Sequence, residues 1–212
     1  IGEWADSLTI QKRMRSVWQH QQHTSYCLFG SKKHLLANLF QNRRMPFYHF
    51  GDTIFLKPIP TNDWIPFICE KFVEKGKKIS EELVGKICTT VASHSSYVQQ
   101  LAWNIMVNTE TEVTDEIFQQ SISELLAQCS PLFIQQIQGL TTYQMNLIRC
   151  LCQGVRKDFT SKDVLETYQL GSKSNISRLK KTLVEKEIIE EEGDTITLAD
   201  PIFELWFKRE YM

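Results

Sequence analysis

No stretch of the chain is apolar over anything near the roughly 20 residues that a helix needs to cross a bilayer, and nothing at its start reads as a signal peptide. No membrane partner is therefore expected. An excess of one charge is also missing. With 24 Lys+Arg against 25 Asp+Glu, any nucleic acid or acidic surface has to be met by a local patch. Metal-ligand spacing is absent too: the six cysteines, Cys27, Cys69, Cys88, Cys129, Cys150 and Cys152, sit among apolar neighbours without a C-x-x-C pair or a His/Cys cluster. That excludes a zinc site from the reading, and the thiols read as reduced ones of a cytoplasmic protein. Finally there is no glycine-rich phosphate loop. Gly76-Lys77 and Gly85-Lys86 lack the earlier glycine of G-x-x-x-x-G-K-[ST], and no strand candidate ends in an acidic pair. The groups that wrap a triphosphate and hold its magnesium are missing, so this chain alone is not expected to hydrolyse ATP.

What is present sorts into three stretches, and the fold class they predict is mainly α. In residues 1–59, Ile10, Met14, Val17 and Trp18 fall on one helical face, predicting a helix over about residues 4–22. Thr24 to Phe29, halted by Gly30-Ser31, has the length and composition of a buried strand. A short helix over about 33–41 follows. Thr53 to Leu56, between Gly51-Asp52 and Pro58-Ile59-Pro60, predicts a second strand. This is an α/β rhythm. In residues 60–138 the strand signals stop and helix caps take over: Asn62 or Asp63, Ser80 with Glu81 and Glu82, and Thr114 with Asp115 and Glu116. Another helix runs over about 95–108. The helix after Thr114 is expected to pass Pro131 only with a kink or a break.

In residues 139–212, Thr141 with Gln144 and Thr160 with Asp163 have capping-box spacing, predicting helices over about 142–153 and 161–168. A third, over about 173–186, carries Ile176, Leu179 and Leu183 on its apolar stripe. Gly193-Asp194 between two β-branched runs then marks a hairpin, and Pro201 to Tyr211 predicts a closing helix. Three helices followed by a hairpin make a winged helix-turn-helix. Its third helix holds Lys173, Arg178, Lys180 and Lys181 within nine residues, without an acid, and Ser174, Asn175 and Ser177 lie between them. Such a helix sets cations on phosphates and short polar side chains near base edges. Lys173, Asn175, Ser177, Arg178, Lys180 and Lys181 are therefore the candidate nucleic-acid contacts. The adjoining wing, with Glu187, Glu190, Glu191, Glu192 and Asp194, repels a phosphate backbone, which leaves an acidic protein surface as the alternative partner.

Two segments carry a family resemblance. The run from Tyr26 to Leu36, followed by Pro46-Phe47-Tyr48 and a strand, resembles the region just after the Walker B strand in prokaryotic P-loop ATPases of the archaeal-type AAA+/STAND kind. Asp200-Pro201-Ile202-Phe203-Glu204-Leu205-Trp206-Phe207 resembles, almost letter for letter, the D-P-x-F-x-x-W-F close of their winged helices. The resemblance implies the last core strands of a nucleotide domain, a helical lid and a winged helix. Ser31 then stands where a hydroxyl orients the attacking water, and Arg43 or Arg44 where an arginine finger reaches a neighbouring subunit, which would make the protein a homo-oligomer. Against these stand plainer readings, a Gly-Ser turn and a solvated basic pair. His94 and Tyr97 fall at the start of a lid helix, near the base, where the phosphate-contacting Arg of many relatives is missing. ATP and magnesium are implied for a longer parent protein with its P-loop upstream of Ile1. The winged module would report the nucleotide state of its own upstream ATPase core. The rival readings are a winged-helix DNA-binding regulator and a degenerate protein-interaction module.

Overall fold

Helix α1 (Ser7–Trp18) forms within the span of about 4–22 that the apolar periodicity predicts, and helix α2 (Lys33–Gln41) matches the short helix expected over 33–41. They belong to the first of two compact units, Ile1–Lys57 and Pro58–Met212, within a computed structural model that describes residues 6–30 and 33–212. The first unit centres on the fully buried Phe47, with the rings of Trp18, Phe40 and Phe50 at 5.6, 5.7 and 5.5 Å. Arg15 secures the turn that carries Phe47, donating to the carbonyls of Pro46 and Tyr48. The strands expected at Thr24–Phe29 and Thr53–Leu56 do not form. Both segments are irregular and have no ladder partner among the described residues. Local composition favours a strand there, but a strand exists only when a neighbour takes up its N–H and C=O groups. Without one, Phe29, Ile54 and Leu56 stand 91%, 81% and 85% exposed.

The second unit opens with four helices, α3 (Thr61–Glu74), α4 (Glu81–Thr90), α5 (Ser95–Asn108) and α6 (Asp115–Ile137). Ser80 and Thr114 cap α4 and α6 by accepting from the N–H groups of Leu83 and Ile117. The loops before those two helices are tied by a parallel bridge between Lys78 and Glu112. Helix α6 runs unbroken through Pro131, contrary to the break considered from sequence. Proline removes one N–H from the ladder, but Phe118, Leu125, Leu126 and Phe133 bury one face of the helix on both sides of it and hold the axis in place.

The remaining residues build the winged module: α7 (Thr142–Cys152), α8 (Lys162–Thr167), α9 (Lys173–Glu185), β1 (Ile189–Glu192), β2 (Thr195–Leu198) and α10 (Pro201–Tyr211). Thr141 and Gln144 form the expected capping box. The cap of α8 is Ser161, whose side chain accepts from Val164, one residue later than Thr160. The hairpin pairs Ile189 with Leu198 and Glu192 with Thr195, and Gly193 takes the positive φ of 59° that its turn requires. Leu147 and Leu151 of α7, Leu179 and Leu183 of α9, Ile196 of β2, and Phe203 and Phe207 of α10 fill the interior. They belong to one buried apolar cluster that continues through α3–α6. Burial pushes the thiols of Cys150 and Cys152 up to about 12, which makes them core residues rather than nucleophiles. Among the described residues no helix is long and apolar enough to cross a membrane.

Candidate functional site

Helix α9 buries Ile176, Leu179 and Leu183 against the module and turns the other side of its surface outward. Lys173, Ser177, Arg178 and Lys181 are exposed on it. The candidates differ in how much they can offer a partner. Lys181 is 78% exposed and only loosely paired to Glu185, at 3.9 Å. Lys180 instead leans back into the module: its ammonium lies 5.2 Å over the ring of Phe159 and 3.9 Å from Glu191 of the wing, and its side chain is 27% exposed. Cation–π contact and the carboxylate together hold this charge on the protein. Asn175 also points inward, donating to the Leu170 carbonyl at 3.2 Å, while its Oδ1 accepts from Arg178 at 2.9 Å. That pair orients the Arg178 guanidinium along the entry to α9. Beside it Tyr143, Gly171, Ser172 and Ser174 complete an open cleft of about 400 Å³. Gly171 sits at a φ of +81°, and a Cβ there would meet the Tyr143 ring at 3.2 Å, so the turn between α8 and α9 depends on its glycine.

The residues suggested for nucleotide chemistry lie apart in the chain. Arg43 and Arg44 are exposed in the turn after α2, where the Arg44 N–H donates to Asn42 at 3.0 Å. Ser31 lies outside the described residues. His94 is the N-terminal boundary residue of α5, exposed and without a side-chain capping bond, with its ring 4.9 Å from that of Tyr97. The Tyr97 hydroxyl donates to Asp200 Oδ2 at 2.6 Å.

That Tyr97–Asp200 contact is the feature sequence reasoning missed, since 103 positions separate its partners. Asp200, directly before Pro201, has the position and side chain of a helix cap. It does cap α10, its Oδ1 accepting from the N–H groups of Ile202 and Phe203 at 2.7 and 3.1 Å, with Pro201 at the first helical positions. Its second oxygen accepts the hydrogen bond from the Tyr97 hydroxyl. Burial first, and then the hydrogen bond to Asp200, raise the Tyr97 hydroxyl above the usual phenol range. A second long-range bond runs from Trp206 Nε1 to Ser130 Oγ at 3.0 Å, joining α10 to α6.

Comparison with known proteins agrees with this architecture. A family described as a probable winged helix domain matches residues 131–209, a span that starts inside α6 and ends in α10. A Walker-type ATPase of Pyrococcus abyssi has a similar fold, with a TM-score of 0.71 at 15% identity. The alignment covers 96% of this chain and 58% of that one, so this chain spans somewhat more than half the length of the ATPase it resembles. No curated protein matches the sequence. The chain thus carries a winged-helix module, and its fold is shared with part of a Walker-type ATPase.

Proposed function

We propose that the chain is the lid and winged-helix region of an ATP-binding switch of the AAA+/STAND kind, acting together with a P-loop core that it does not itself contain. The observation that carries this reading is the pair of apolar segments in the first unit that have no ladder partner among the described residues. Phe29, Ile54 and Leu56, at 81–91% exposure, gain nothing from water, and a sheet supplied by further chain would bury them, about 25 cal/mol for each Å² covered. The likeness to 58% of a Walker-type ATPase supports the same source for the missing strands. On this reading ATP and magnesium bind the completed core, Ser31 and Arg43 or Arg44 sit toward its phosphates or a neighbouring copy, and the winged module reads out the state. The test is limited proteolysis of the longer protein with and without ATP and magnesium. Cleavage within residues 60–138 is expected to change with nucleotide. Identical digestion patterns in the two conditions sink the proposal.

A second reading, contact of α9 with DNA, is favoured by the exposed cations Lys173, Arg178 and Lys181. Here the structure refines the expectation for two neighbouring lysines. If α9 meets phosphates, Lys181→Ala lowers the slope of log K against log salt by about 1, the share of one released counterion. Lys180→Ala lowers it by less than half of that, because Phe159 and Glu191 already hold its charge. Gel-shift titrations over a salt series decide the matter. Binding without a salt slope removes the nucleic-acid reading and leaves the protein surface.

A further inference from the structure

We infer that the helical section and the winged module form one rigid arm, latched by Tyr97 on Asp200, so that the winged module does not swing on the helices beneath it. The inference does not depend on nucleotide binding. It begins with α6, whose 23 residues belong to both parts: α6 packs along α5 and also along α10. Only the short segment 138–141 connects α6 to α7. The family match to the winged domain itself starts at residue 131, inside this helix.

Two side-chain bonds then tie the α10 end of the module to the helical section, Tyr97 Oη of α5 to Asp200 and Trp206 Nε1 to Ser130 of α6. Between them Phe133 of α6 meets Phe203 edge-on, with ring centres at 5.4 Å, and touches Trp206 at the same distance. The division of labour within the Asp200 carboxylate makes the latch cooperative. One oxygen caps α10 and the other holds α5, so a rotation of α10 away from α5 has to break the latch or the cap. Arg156 adds a strut from the other side, with its guanidinium 3.6 Å from Glu204 of α10 and a further bond to the Leu151 carbonyl of α7. Tyr97 is therefore a positioning residue. Any motion delivered to the helical section is passed to the α9 surface undamped.

The experiment places spin labels at Glu82→Cys on α4 and Asp194→Cys in the wing, in a background where the exposed Cys27 and the half-buried Cys69 and Cys129 are replaced by Ser. One narrow distance distribution is expected, and a broad or two-peaked one overturns the inference. Tyr97→Phe keeps the ring and removes the hydroxyl. It is expected to broaden the distribution and to speed hydrogen exchange at the Ile202 and Phe203 amides about ten-fold, the loss of one charge-assisted hydrogen bond. Asp200→Asn, which keeps a good cap but weakens the acceptor, is expected to fall between the two. Should both variants stay as narrow and as protected as the parent, Tyr97 is no latch.

Discussion

Trp206→Ala is expected to lower the stability of the chain by about 3–5 kcal/mol, the usual cost of emptying a large aromatic site in a packed core. For a protein of this size that corresponds to roughly 6–20 °C in melting temperature. The side chain is 2% exposed, and its ring lies 5.4 Å from Phe133, 5.8 Å from Phe203 and 5.6 Å from Tyr211. None of these neighbours can fill the space without leaving its own contacts. The indole also supplies the hydrogen bond to Ser130, whose hydroxyl loses its partner in the variant. Trp206→Phe separates the two contributions. It keeps most of the ring contact and gives up the hydrogen bond, so a cost of about 1–2 kcal/mol is expected. Urea unfolding of the parent and both variants measures the difference. Because the buried cluster runs without interruption from α3 to α10, the unfolding of residues 58–212 should stay a single transition in all three. A separate early transition for the winged module in Trp206→Ala would show that its core is not shared with α6.

What could be read from the sequence, and what could not, follows the range of the interactions. Helix ends are local events. Ser80, Thr114 and Thr141 each cap the helix they precede, because a hydroxyl two or three residues from a bare N–H needs no help from elsewhere. The hairpin is local too, its turn set by Gly193. The strands at Thr24–Phe29 and Thr53–Leu56 failed for the opposite reason. Their residues favour extended structure, but the ladder must come from other segments. Polar pairing over distance was equally hidden. Asn175 looked like an outward-facing base reader by its composition, yet the turn at Gly171 brings the Leu170 carbonyl within its reach. Lys180 looked like its neighbour Lys181, and only the folded position of Phe159 and Glu191 tells the two apart. The proline at 201 marked the start of the closing helix from local chemistry alone, while the oxygen that reaches Tyr97 had no local signal at all.

Asp200→Ala is the second large effect, an expected loss of about 2–4 kcal/mol from a residue only half-buried. Removing an N-cap costs roughly 0.5–2 kcal/mol. Leaving the half-buried Tyr97 hydroxyl without its acceptor adds about 1–3 kcal/mol, and because the two losses share one carboxylate they are not expected to add fully. Asp200→Asn should recover most of the cap share. Alkaline unfolding gives an independent check whose sign is fixed. Burial and the bond to Asp200 raise the Tyr97 hydroxyl in the folded protein, so the folded state keeps a proton that the unfolded chain releases near its ordinary value of about 10. The stabilising contribution is therefore complete below about pH 10 and declines as pH rises beyond it. Tyr97→Phe should remove that part of the decline. Asp200→Ala should make it shallower without abolishing it, because burial, the larger cause, remains. Equal alkaline slopes for the parent and Tyr97→Phe would mean that the hydroxyl is neither buried nor held by Asp200 in solution.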